Sequence, residues 1–179
     1  MCLAGLVNTN LAAAAGVIAA LAVSRPIFKR MDLITGLNGA IGGLVAITAG
    51  PDFVDHYWAI PIGAVGGAVC TGALKGMEML KVDDVVGAIP AHLVAGIWGT
   101  LAVPIASGGN ILVQLVGVVA VGAFAFSASW LVWRAIDMTI GVRVSRDIEE
   151  LGQDAGELGI ESYPEFILMP EQFDEDEEY

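Results

Sequence analysis

VDDVVGAIPAHLVAGIWGTLAV, residues 82–103, decides how the rest of this 179-residue chain is read. Two carboxylates, Asp83 and Asp84, stand before a run with no further charge, and one histidine, His92, lies near its middle. Paired aspartates make a good helix start, because a carboxylate accepts the free N–H groups of the first turn and suits the positive end of the dipole. A helix opened there puts His92 two turns, or roughly 12 Å, beyond Asp84, close to half of a hydrocarbon core about 30 Å thick. An ionisable group at that depth is costly and faces a pathway or a partner. A neutral imidazole bonded to a neighbouring helix meets the same cost, so these residues alone leave both readings open.

Working outward, 56% of the residues are hydrophobic. Apolar runs near the roughly 18 residues that mark a membrane helix recur along the chain. Lipid admits only helices or closed barrels, and these runs lack the alternation a barrel needs. The expected class is an all-α polytopic membrane protein with five transmembrane helices, at about residues 1–23, 33–50, 59–79, 85–106 and 111–136. The first run has no basic flank or cleavage site of the signal-peptide kind, and Pro26 is expected to end it. The second and third are dense in glycine, at Gly36, Gly39, Gly42 and Gly43, then Gly63, Gly66, Gly67 and Gly72. Such spacing lets neighbouring backbones approach closely.

The net charge of −12 is unevenly placed. From residue 141 onward, two arginines face thirteen carboxylates, so a transmembrane domain (1–140) and an acidic cytoplasmic tail (141–179), disordered from about 167, are expected. With no basic cluster there is no case for nucleic acid as a partner. Cys2 and Cys70 both fall in apolar runs, so neither a disulfide framework nor a metal site is suggested, and no cofactor motif is present. Arg25, Lys29 and Arg30 follow the first run, Lys75 and Lys81 the third, and Arg134, Arg143 and Arg146 the fifth. All the basic residues therefore fall on one side, which places the N-terminus outside and the C-terminus in the cytoplasm of a cell (plasma or inner) membrane. His56 reads as a solvated residue of an outer loop; Trp58, Trp130 and Trp133 read as interfacial anchors in contact with lipid. No paired acid and base, metal spacing or phosphate loop points to an enzyme.

Four segments resemble one family. VNTNLAAAAG (7–16), NGAIGGLVAITAG (38–50), residues 82–103 and GVRVSRDIEELGQDAGELGIESYPEF (141–166) are similar, in order and spacing, to ammonium transporters of the Amt/Rh superfamily. The resemblance implies part of an Amt-type inverted-repeat channel: helices seven to eleven of an eleven-helix protomer, plus the cytoplasmic tail. The N-terminal half of the pore, with its first histidine, phenylalanine gate and vestibule aromatics, is missing and would lie upstream of Met1. His92 matches the second pore histidine. In the family two touching imidazoles line a dry conduit, so ammonium gives up its proton and ammonia crosses the apolar path.

By the same reading Asp83 and Asp84 are capping or loop-fixing groups at the cytoplasmic mouth rather than pore ligands. Asn8, Thr9 and Asn10 are expected to hydrogen-bond between helices, as is Asn38 within the glycine-rich packing face. Gly152 and Asp154 match the regulatory tail, which the resemblance places under a neighbouring subunit of a homotrimer and within reach of a PII-type signal protein. Three positions depart from the commoner pattern: Leu93 where glycine follows the histidine, Leu158 in place of a histidine before Gly159, and Gly156 where plant members carry a regulatory threonine. The implied function is the C-terminal part of an ammonium/ammonia transporter, with methylammonium as an analogue. The alternative is a truncated, non-transporting membrane fragment or an interaction subunit of full-length trimers.

Overall fold

The computed structural model describes residues 2–160, all of whose regular elements are helical. The expected disorder beyond about residue 167 lies outside the described residues. Two units are distinguished, Met1–Ala123 and Phe124–Tyr179. The first holds α1 (Cys2–Phe28), α2 (Leu33–Thr48), α3 (His56–Leu80), a π-helical turn (Ile89–Val94), α4 (Ala95–Ser107) and the first part of α5 (Ile111–Thr139). The second holds the rest of α5, α6 (Arg146–Leu151) and a second π-helical turn (Asp154–Leu158).

Four stretches are long and apolar enough to cross a membrane: Leu3–Phe28, His56–Leu80, Ile89–Ser107 and Ile111–Thr139. α2, with 16 residues, is shorter, and spans roughly 24 Å at the ordinary helical rise. α5 buries no residue along its length. Its side chains are apolar until Arg134 and Asp137, which pair with each other at 3.3 Å.

α1, α2 and α3 pack on one another, and α4 and the first π-helical turn pack on α2 and α3. The core is small: Ala12, Ala46, Ala59 and Ala102 are almost wholly buried, with Ile47 and Ile62 among them. Lipid removes the hydrophobic drive between helices, so the packing rests on close contact and dispersion. The glycines make that contact. A Cβ on Gly67 would collide with the backbone of Gly16, one on Gly63 with Ala12, and one on Gly99 with Ala46. Gly72, on the same helix as Gly67, faces open space instead.

Two sequence expectations need correction. Pro26 does not end α1, which runs on to Phe28 before Lys29 turns the chain at φ 59°. Proline there forgoes a single bond, to the carbonyl four residues back, near an end where carbonyls go unpaired anyway. The fourth span does not begin at residue 85. Residues 82–87 are turn and coil, with Gly87 at φ 73°, and the helical path starts only at Ile89. His92 thus lies in the first turn of its helix rather than two turns deep. Smaller shifts extend α3 back to His56 and α5 on to Thr139.

α2 is capped by Asp32, whose carboxylate accepts the Thr35 N–H and hydroxyl, each at 2.9 Å. Those bonds, with a smaller contribution from the Arg30 charge, hold the Asp32 carboxyl below its usual range. A depressed carboxyl contributes stability above its unfolded pKa and loses it as pH falls through the folded value. Asp32→Ala should therefore lower the thermal midpoint at neutral pH, and the gap to the parent should close on acidification below the ordinary carboxylate range. Gly67→Ala should cost about 1–3 kcal/mol through overpacking against backbone, while Gly72→Ala is tolerated. Thermal unfolding of the detergent-extracted chain checks both pairs.

Candidate functional site

The site is built by the residues that precede the first π-helical turn. Asp84 accepts the Ala88 N–H through Oδ1 and the Ile89 N–H through Oδ2, both at 2.8 Å. One carboxylate thus caps two free amides at a helix start. Asp83 is exposed and makes no hydrogen bond or ion pair among the described residues. Gly87 supplies the left-handed residue that turns the chain into this start, and its carbonyl accepts from the Ala91 N–H at 3.0 Å.

Pro90, in the first turn, has no N–H to satisfy, and it and Ala91 are buried. The turn then widens, so that the Ala95 N–H reaches Pro90 O as well as His92 O. A π-helical turn re-aims the side chains that follow, and such turns recur at functional sites. Here it carries His92, which is exposed on this unit and has no hydrogen-bond partner among the described residues. Leu93 is exposed beside it. α4 is then tied to α3 by Trp98, whose indole Nε1 donates to Ile62 O at 2.9 Å. Sequence reasoning missed this bond; the only signal was a tryptophan away from either end of an apolar run.

Beside the Asp84 turn is a cavity of about 280 Å³, with Arg30, Asp32, Thr35, Leu74 and Asp84 in its wall. Lys75 lies at the same end of α3, paired with Glu78 at 2.7 Å and 5.7 Å above the Phe28 ring. Asn38 is buried on α2 just beyond Thr35. Its backbone carbonyl accepts from the Cys70 thiol at 3.6 Å.

The other polar residues singled out from sequence gather at the opposite end of α1. Asn8 is fully buried and crosses between elements: its Nδ2 donates to Pro51 O at 2.8 Å and Val54 O at 2.9 Å. Both amide hydrogens are then used, so its Oδ1 accepts from His56 Nδ1 at 2.7 Å. His56 is thus no free loop residue. It opens α3 and, though exposed, is anchored to α1 through a bond that either charge state of the ring can donate. Thr9 and Asn10 are also corrected. Thr9 Oγ1 donates to Gly5 O at 2.7 Å and Asn10 Nδ2 to Leu6 O at 2.8 Å, both within α1. A short polar side chain in a helix reaches the carbonyl four residues back more readily than a neighbouring helix.

In the second unit Ser145 caps α6, Arg143 binds both oxygens of Glu149 at 2.7 and 3.0 Å, and Arg146 pairs with Glu150 at 2.9 Å. Gly152 ends α6 at φ 100°, and Asp154 opens the second π-helical turn. Gly156 lies against Ile148, where any Cβ would stand 2.7 Å from a methyl carbon.

Residues 2–163 match the Ammonium Transporter Family. The chain belongs to that family. Ammonium transporter Amt2 of Archaeoglobus fulgidus is 35% identical across 89% of this chain and 39% of its own length. Ammonium transporter Amt1 of Haloferax mediterranei is 37% identical across 89% of this chain and 32% of its own. Among solved structures, a protein titled Sensor Amt Protein superposes with a TM-score of 0.78 at 30% identity, over 86% of this chain and 41% of that one. Mep2 of Saccharomyces cerevisiae gives 0.73 at 28% identity, over 88% and 40%. The chain thus spans about two-fifths or less of the length of these relatives. It is an all-helical membrane protein of a transporter family, not an enzyme.

Asn8→Ala would leave two loop carbonyls and the His56 ring without their partner, at a cost of roughly 2–3 kcal/mol. Amide exchange across residues 51–58 should rise in that variant, and rise less in His56→Ala, which keeps both carbonyl bonds. Equal exchange in the parent and Asn8→Ala would show that the clamp holds nothing.

Proposed function

We propose that this chain is the C-terminal part of an ammonium/ammonia transporter and that His92 is its pore residue. The observation carrying the reading is the His92 turn: an exposed, unpartnered imidazole at the start of an apolar helix, in a chain of the ammonium transporter family. An imidazole there has a physical task. Ammonium stripped of water in an apolar passage is strongly disfavoured, whereas ammonia without its proton is not. A ring that donates at one nitrogen and accepts at the other can hold ammonia or relay a proton beside it. A single ring cannot do both along one path, so the pore is completed by helices equivalent to the family's N-terminal half.

In this reading the N-terminus is outside and the C-terminus is in the cytoplasm of the cell membrane. The Asp84 turn then borders the inner mouth, where Asp84 fixes backbone rather than binding ammonium. Complete protomers assemble as homotrimers, and the tail around Gly152 and Asp154 is the segment through which a neighbouring subunit or a PII-type protein acts. Membrane lipid covers the apolar face of α5.

The chain co-expressed with an N-terminal half from Amt2 of Archaeoglobus fulgidus, in cells lacking ammonium uptake, should take up labelled methylammonium. His92→Ala should lower that uptake at least about tenfold, the worth of one lost polar contact in a dry passage. Uptake unchanged by His92→Ala overturns the pore assignment. No uptake from the properly inserted parent pair favours a non-transporting membrane subunit instead.

A further inference from the structure

Asn38 is only 5% exposed, yet its side-chain amide, with two donors and an acceptor oxygen, meets no hydrogen-bond partner among the described residues. None of the described buried side-chain nitrogens and oxygens is both sealed from solvent and unpaired. The Asn38 amide, lacking a partner, is therefore within reach of a water-sized molecule. Leaving such a group unpaired in an apolar surrounding costs free energy, and an apolar residue of the same size would avoid the cost.

The neighbourhood is kept open around it. A Cβ on Gly87 would stand 3.1 Å from Asn38 Nδ2 and 2.7 Å from Leu74 Cδ2, so the absence of a side chain at Gly87 leaves the amide uncovered. Leu74 also walls the 280 Å³ cavity, together with Thr35, one turn before Asn38 on α2, and Asp84, which fixes the Gly87 turn. On the other side, the π-helical turn that carries His92 packs on α2 and α3. The amide thus lies between that cavity and the His92 turn.

We infer that Asn38 is a binding station for a small neutral solute bearing both a lone pair and N–H hydrogens, which under the proposed transport function is ammonia. The chemistry selects the neutral form. Asn38 Oδ1 accepts an N–H from ammonia or ammonium alike, but Asn38 Nδ2 donates only to a lone pair, which ammonium lacks. Water shares the lone-pair chemistry and is the competing occupant. The station receives ammonia after His92 and before the cavity, where the proton can be regained.

The test uses the co-expressed pair described above and Asn38→Leu, which keeps the volume and removes the hydrogen bonding. Methylammonium uptake should fall about tenfold, the worth of a hydrogen bond to a small solute, while the thermal midpoint stays level or rises. A fall in midpoint shows a structural amide and overturns the inference, as does unchanged uptake. In proteoliposomes, loss of water permeation with methylammonium flux intact makes water the occupant and likewise overturns it. Absence of uptake in the unmutated pair removes the transport reading itself, and the station with it, before the variant is compared.

Discussion

The close approach of α1, α2 and α3 is the constraint on which the rest of the first unit depends. A membrane offers no reward for burying an apolar side chain against another helix, because lipid is equally apolar. What remains is contact distance, and at Gly16, Gly43, Gly63 and Gly67 there is no room for even one carbon. The buried residues between these helices are accordingly alanines more often than leucines. With three helices fixed at backbone contact, the loops at each end have little freedom, and single side chains can then hold them: Asn8 at one end, Asp32 and Asp84 at the other.

That rigidity gives the His92 turn its geometry. The turn packs on α2 and α3, so its position is set by helices that cannot shift without collision. Asp84 occupies its first amides, Pro90 removes one donor, and the widened turn rotates the residues after it. His92 is presented outward while Pro90 and Ala91 stay buried. An imidazole at the start of a helix, on a turn that backs onto packed helices, is pre-positioned without hydrogen bonds of its own. This leaves both ring nitrogens for other partners.

Much of this was legible in the sequence, for identifiable reasons. Hydropathy marks membrane helices because apolar length is the requirement itself, and the glycine spacing announced the packing face because small side chains are its cause. The family was legible from segments in register, above all the stretch around His92. What escaped depended on contacts between residues far apart in the chain. Nothing near Asn8 announces His56, 48 residues on, yet the bond between them converts a presumed loop residue into the start of α3. The late start at Ile89 escaped because Asp83 and Asp84 satisfy the rule for a cap at either place; the left-handed Gly87 decided it. Pro26 misled because the rule against proline weakens in a final turn.

The asparagines separate structural from unassigned polarity more sharply than any motif does. Asn8, Asn10 and Asn38 carry the same amide in the same kind of apolar helix. Asn8, fully buried, uses both hydrogens and its oxygen within the protein. Asn10, exposed, returns a hydrogen to its own helix and leaves the rest outside. Asn38 is buried nearly as deeply as Asn8 but uses none of its side chain. Burial alone therefore does not predict satisfaction, and the difference follows from the neighbours. Asn8 faces a loop with carbonyls to spare, whereas Asn38 faces a glycine turn and a leucine. A packing role requires contacts that an amide makes better than a leucine, and Asn38 makes none with its side chain. What distinguishes the two residues is the hydrogen bonding that only a molecule from outside the chain can complete.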